Sequence, residues 1–279
     1  MREITSDHPR RPGQPSGTRI DLTGLGIVVF GAAGTLASSF VAASAAAGAA
    51  LVLADRDDGL PLERSPAAES LRRVGNPVAE AMFLGDITDV KDTVEIFHRA
   101  AGHLGVVDIA VNFAGVHHRP FDPVTDDPVM LMEEFRRVTE VNLTGAFAFT
   151  VAASRVMVPR GGGHIIHLCS NGSRAALYGS YAYNASKHGV EGVVKTAAAQ
   201  LAPRGVRVNA VAPGTVVTGL NRSLLYNDDG EPLPRAKSIL SHTPTKEFAT
   251  PDGVTETVLA MCLPQRHFTG NVVFADDGY

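Results

Sequence analysis

The sequence predicts an α/β protein built on one doubly wound parallel sheet with helices on both faces. Three observations carry that reading. Short apolar runs such as GIVVF (26–30) and ALVLAD (50–55) lack polar alternation, as expected of strands covered on both faces. Helical stretches separate these runs, and strands joined through helices pair in parallel. The first strand enters its helix through a glycine turn, GAAGTLA (31–37), the connection typical of a doubly wound fold. No second composition regime and no internal repeat breaks the pattern, so residues 19–279 are expected to form one domain.

Residues 1–18 combine proline, glycine and charge without an apolar period and are expected to be a disordered tail. GIVVF is the first strand, the turn and ASSFVAASAAAG the first helix, and ALVLAD the second strand. AMFLGD (81–86) follows as a strand, KDTVEIFHRAAGHLG (91–105) as an amphipathic helix and VDIAVNFAG (107–115) as another strand. One helix is expected near MLMEEFRRVTEVNLTGAFAFTVAASRVM (130–157), leading to the strand GHIIHLCS (163–170) and the Ala-rich helix YNASKHGVEGVVKTAAAQLA (183–202). RVNAVAP (207–213) and NVVFAD (271–276) supply two further strands. Residues 218–248 are mixed in charge, with Leu220, Leu224, Leu225 and Ile239 as apolar points. They read as a mobile lid over a substrate.

The balance of 25 Lys+Arg against 29 Asp+Glu, a formal charge of -4, argues against a nucleic-acid or anionic-membrane partner and for a small molecule. Cys169 and Cys262 show no CxxC spacing, and no secretory signal or long apolar span is evident, which places the chain in the reducing cytoplasm. His164 and His167 lie an odd number of residues apart on a strand and point to opposite faces, so no metal site is expected there.

The stretch SNGSRAALYGSYAYNASK (170–187) carries the chemistry. Tyr183 and Lys187 are four residues apart in a helical segment, so their side chains share one face. A free phenol has a pKa of about 10, and an ammonium fixed nearby favours the phenolate. Lys187 is therefore expected to lower the Tyr183 pKa, with Ser170 holding a substrate oxygen while the proton moves. Taken alone, a Tyr-x-x-x-Lys spacing is far more often a plain surface pair on a helix. The surrounding motifs decide between the two.

In the glycine turn, Gly31 and Gly34 let a backbone approach a pyrophosphate, and Thr35 and Leu36 open the helix whose N–H groups would hold it. Asp55 ends the next strand, where a dinucleotide-binding fold places the carboxylate that takes the adenosine ribose hydroxyls. Its charge would repel a 2′-phosphate, which favours NAD, whereas the adjacent Arg56 would be the residue to take that phosphate in NADP. A tight turn and a helix-capping aspartate explain each feature singly, but not their ordered co-occurrence.

From about Asp21 to Tyr279 these ordered motifs resemble the short-chain dehydrogenase/reductase family, which has a single-domain Rossmann-type fold. NFAG (112–115) is similar to the family's Asn-Asn-Ala-Gly motif and would bring Asn112, Ala114 and Gly115 to the cofactor. In LGDITD, Asp86 and Ile87 would lie near the adenine ring, while PGTVVT (213–218) would bring Pro213, Gly214, Val216 and Thr218 beside the nicotinamide. The resemblance makes Tyr183 the acid/base, Ser170 the holder of the carbonyl or alcohol, and Lys187 the ribose ligand that tunes Tyr183. Asn142, in VNLTGAF, would support a proton-relay water. Read without the family, Asn142 is a buried structural amide and Asp86 a strand-end cap. The implied activity is NAD-dependent interconversion of a secondary alcohol and a ketone, in a homodimer or homotetramer.

The glycine turn departs from the family's usual Thr-Gly-x-x-x-Gly-x-Gly. Phe30 replaces the Thr, Thr35 the second Gly and Ala37 the third, while Gly31, Gly34 and Ala37 match the Gly-x-x-Gly-x-x-Gly spacing of the extended branch. Two other readings follow: a binding or regulatory protein with impaired cofactor use, and an epimerase or dehydratase that retains its NAD. His117, His118 and Arg119 follow the NFAG turn where the family's substrate pocket begins, and Arg174 lies between Ser170 and Tyr183. His117, His118 and Arg174 are the candidate substrate residues and point to a polar or anionic substrate, with solvated loop charges as the alternative.

Overall fold

The apolar runs form one parallel sheet: Gly26–Phe30 (β1), Ala50–Asp55 (β2), Met82–Leu84 (β3), Ile109–Asn112 (β4), Gly163–Leu168 (β5), Val206–Pro213 (β6) and Val272–Ala275 (β7). The computed structural model describes residues 20–56, 62–73, 81–219 and 221–279, so the tail expected over residues 1–18 lies outside the described residues. The strand order is β3-β2-β1-β4-β5-β6-β7. The chain thus winds outward one way from β1 and then, after crossing over, the other way from β4. The point between them is where a doubly wound sheet opens a crevice at its carboxyl edge. Register sets Phe30 level with Ala54 of β2 and Asn112 of β4, so three strand ends converge on that crevice.

Alternation along the strands feeds two cores. Val28 and Phe30 face one side, where they meet Phe97 of Val90–Leu104 (α3), Phe149 of Gly145–Met157 (α5) and Val190 of Tyr181–Leu201 (α6). Ile27 and Val29 face the other side, against Phe40 of Thr35–Ala46 (α1), Leu71 of Pro66–Arg73 (α2) and Val258 of Pro251–Cys262 (α9). Three further helices complete those of the described residues: Pro128–Thr139 (α4), Arg222–Leu225 (α7) and Pro234–His242 (α8). Good N-caps fix where helices begin: Asp89 accepts from Lys91 N–H, Asp127 from Met130 N–H and Thr250 from Gly253 N–H.

The single helix expected over 130–157 is interrupted. Residues Glu140–Thr144 form a π-helical turn in which Gly145 N–H donates to the Glu140 carbonyl, and Asn142 sits inside it. Such turns insert a residue into the helix and often mark functional sites. The run Pro128–Arg160 is long and apolar enough to cross a membrane by length and composition, but half of its apolar window is buried in the domain, which marks it as a core helix.

Candidate active site

The C-terminal ends of β1, β2, β4, β5 and β6 open into a cleft of about 520 Å³, within the usual range for small-molecule sites. At one end lies the glycine turn. Gly31 has φ +72°, and a Cβ there would sit 2.4 Å from Ala114 N, so only glycine fits this position. Gly34 has φ -72° and precedes α1 without any side-chain cap, and the first turn of α1 carries no acidic residue. The N–H groups of that turn therefore face the cleft with their positive dipole end, beside Thr35 and Leu36. Asp55 is held in place: its carboxylate accepts Ala33 N–H at 2.7 Å and Arg56 N–H at 2.8 Å while lining the cleft with Arg56. Asp86 accepts from both the N–H and the hydroxyl of Thr88, and it lines the same end with Ile87.

The departures from the usual glycine pattern do not block this end. The Phe30 ring stacks on Phe97 at 5.5 Å and meets Phe149 edge-on at 5.1 Å, beneath the sheet. Ala37 is fully buried where α1 meets the strands, and Thr35 is exposed at the mouth. The donors, the carboxylate and the open turn fit a dinucleotide.

The other end holds the proton-handling groups. Ser170 follows β5, and its hydroxyl accepts Gly172 N–H at 3.1 Å and donates to Asn171 Oδ1 at 3.1 Å. Ser170 and Tyr183 line this end of the cleft together, with the Ser170 hydroxyl near enough to act on the phenol. Lys187 is 3% exposed and its Nζ donates to the Leu168 carbonyl at 2.7 Å. Burial pushes the Tyr183 phenol above its ordinary pKa, an effect only partly opposed by the nearby Ser170 hydroxyl, and pulls Lys187 down to about 8. This differs from the expected tuning of Tyr183 by Lys187. The ammonium is anchored on a carbonyl, 5.7 Å from the phenol ring centroid, and desolvation outweighs it.

Ala114, Gly115, Pro213, Gly214, Val216 and Thr218 also line the cleft. Four expected residues do not. Asn112 is buried, and its Oδ1 accepts Ala114 N–H at 3.0 Å, which shapes the turn from behind. Asn142 accepts Val116 N–H at 2.8 Å and donates to the Val116 carbonyl at 3.0 Å and the Ser186 hydroxyl at 3.1 Å, so its amide braces the loop against α6. Arg174 turns away: its guanidinium donates to Asp276 at 2.8 Å and the Tyr279 carbonyl at 2.7 Å and lies over the Phe274 ring. His118 is buried, stacked on Phe121 with ring centroids 4.3 Å apart, and its Nε2 accepts Tyr183 N–H at 3.4 Å. With its Nδ1 facing the Arg119 carbonyl, His118 caps the first turn of α6 in place of the missing Ser180 side-chain cap. His117 alone of the three substrate candidates reaches the cleft, its ring 4.4 Å from that of Tyr183. Burial lowers its pKa to about 4, so it faces the site neutral.

Further lining residues carry no signal of their own in the sequence: Asn171, Leu177, Asn221 and, from α8, Arg235. Asn171 Nδ2 is buried beside Ser170 without a partner among the described residues, a donor that a ligand oxygen would satisfy. The expected lid over 218–248 carries the short helices α7 and α8, which bring Leu224, Leu225, Arg235 and Ile239 to the cleft. His164 and His167 do face opposite sides of β5: one is bonded to Asn209 of β6, the other to Thr150 of α5.

Comparison with known proteins agrees with this geometry. A family model described as enoyl-(acyl carrier protein) reductase matches residues 31–279. A 2-(S)-hydroxypropyl-CoM dehydrogenase of Xanthobacter autotrophicus is 32% identical over 253 residues, 90% of this chain and 94% of the relative. A trans-4-hydroxycyclohexanecarboxylate dehydrogenase of Sinomonas cyclohexanicum is 35% identical over 75% of this chain and 78% of its own. Among solved structures, a putative NAD(P)-dependent gluconate 5-dehydrogenase of Beutenbergia cavernae with bound NADP superposes with a TM-score of 0.77 at 27% identity. That match covers 93% of this chain and 98% of the other.

Proposed function

This chain belongs to the short-chain dehydrogenase/reductase family, and we propose that within it the protein is an NAD-preferring dehydrogenase of a small secondary alcohol. The observation that carries this reading is that Ser170 and Tyr183 line the same cleft as an uncapped glycine turn, with Lys187 buried alongside. Relatives named for hydroxypropyl-CoM and hydroxycyclohexanecarboxylate dehydrogenation support an alcohol/ketone reaction here. When bound, the nicotinamide supplies the hydride acceptor or donor. Ser170 holds the substrate oxygen and Tyr183 takes or returns its proton, while the Leu168 carbonyl keeps the Lys187 ammonium in position. Neutral His117 packs against the phenol and helps exclude water without competing for the proton.

NAD is favoured over NADP because Asp55, fixed by two backbone N–H groups at the end of β2, keeps a carboxylate in the cleft beside the glycine turn. A 2′-phosphate there would meet like charge. The test is calorimetric titration with NADH and NADPH, followed by a screen of secondary alcohols with cofactor reduction as the readout. NADH should bind at least about tenfold more tightly, and Tyr183→Phe should lower kcat by about 10²-fold or more while NADH still binds. Failure of both cofactors to bind would favour the regulatory reading, and full turnover by Tyr183→Phe would remove Tyr183 from the chemistry.

A further inference from the structure

At the proton-handling end of the cleft, Arg235 is a charged lining residue that the site described above leaves unused. It sits in the first turn of α8, half-buried, and lines the cleft. No carboxylate lies within ion-pair distance of it among the described residues. Its two hydrogen bonds are long, 3.3 Å to the Tyr178 carbonyl and 3.4 Å to the Ser180 hydroxyl, and leave most of its five donors free. The acidic residues that line the cleft, Asp55 and Asp86, are both at the glycine-turn end. At the other end the charged side chains are Arg235 and Lys187, and Lys187 is committed to the Leu168 carbonyl.

Position gives the arrangement its chemistry. The Arg235 charge acts on His117, whose ring lies 4.4 Å from that of Tyr183, so Arg235 belongs to the proton-handling end of the cleft. A half-buried arginine with no carboxylate partner among the described residues, and Tyr279 as its attractive neighbour, carries a desolvation cost that an incoming carboxylate would offset through paired N–H···O bonds. Apolar Leu177, Leu224, Leu225 and Ile239 line the same cleft and suit a short hydrocarbon linker.

We propose that Arg235 is the anion-recognising residue of the substrate site, so that the preferred substrate is a hydroxy acid or keto acid with its carboxylate a few bonds from the reacting carbon. The proposal rests on the dehydrogenase reading above, but its first test needs no turnover. With NADH present, tens of millimolar butyrate should raise the melting temperature of the wild-type protein. Neutral butyramide at matched ionic strength should not, and Arg235→Gln should lose the response. Equal responses to butyrate and butyramide, or an unchanged butyrate response in Arg235→Gln, would overturn it.

The second arm is a series of short hydroxy acids assayed beside their methyl esters. The ratio of kcat/KM for acid over ester should exceed one in the wild type and fall about 10- to 100-fold in Arg235→Gln, mainly through KM. Arg235→Lys should keep part of the preference, because charge survives while the planar fork does not. A ratio unchanged by Arg235→Gln overturns the anion site alone, whereas turnover unaffected by Tyr183→Phe overturns the dehydrogenase reading instead.

Discussion

Lowering the pH from 7 to 5 should remove a large part of the stability of this fold through two histidines that never touch substrate. His164 and His167 are each 1% exposed on opposite faces of β5, and burial depresses both pKa values to about 3. His167 Nε2 pairs with the Thr150 hydroxyl at 2.9 Å while its Nδ1 has no partner among the described residues, so an added proton there would be buried bare. In the unfolded chain each imidazole titrates near 6.5. Because the folded value is lower, the unfolded state binds more protons between about 6.5 and 3, and stability falls as pH falls through that window. From pH 7 to 5 each residue contributes a loss of about 2 kcal/mol, hence about 4 kcal/mol together, a large share of a typical domain's 5–15. His117 and His118 are depressed in the same direction and add to the trend, whereas Glu134, held below the ordinary carboxylate value by its Arg137 hydrogen bond, stays ionised from pH 7 to 5. Urea denaturation at pH 7, 6 and 5 reads the effect directly. The double variant His164→Asn, His167→Gln starts from lower stability but should lose about 4 kcal/mol less over the same range. A wild-type stability flat from pH 7 to 5, or a slope unchanged in the double variant, would refute neutral burial as the cause.

Two further predictions concern the site's framework. Gly31→Ala should prevent stable folding or lower Tm by ~6 °C or more, because it combines a φ of +72° with a Cβ driven against the backbone of Ala114. Gly34→Ala, where the nearest obstacle is the Gly31 carbonyl at 3.3 Å, should instead fold normally and weaken NADH binding about tenfold; the pair is separated by melting curves and calorimetry. Asn142→Ala leaves the Val116 N–H and carbonyl without their side-chain partner and should cost about 2–4 kcal/mol, seen as a lower denaturant midpoint at unchanged m-value. A neutral effect would mean that Asn142 does not brace the loop.

The fold was legible in the sequence because its signals are local. Strand, turn and helix each announce themselves within a few residues; the glycine turn, Asp55, Ser170 and Tyr183 sit where one element hands over to the next, with Lys187 one turn further into α6. Their placement in one cleft follows from parallel winding alone. The residues misjudged are those whose role depends on a distant partner. Arg174 lies between Ser170 and Tyr183 in sequence, yet Asp276, 102 residues away, draws it out of the cleft. His118 looked like a pocket residue, but 65 residues later the uncapped start of α6 takes its imidazole as an acceptor. Phe30 looked like damage to a cofactor motif until Phe97 and Phe149 gave its ring a place in the core. Arg235 carried no signal at all within its own segment. Its meaning comes from α8 folding back over the residues that precede Tyr183, which leaves a cation where the chemistry happens and no anion of the described residues paired with it. Substrate choice in this fold is thus written in long-range contacts of the least regular segment, while the reaction is written in the turns that any parallel sheet of this winding must bring together.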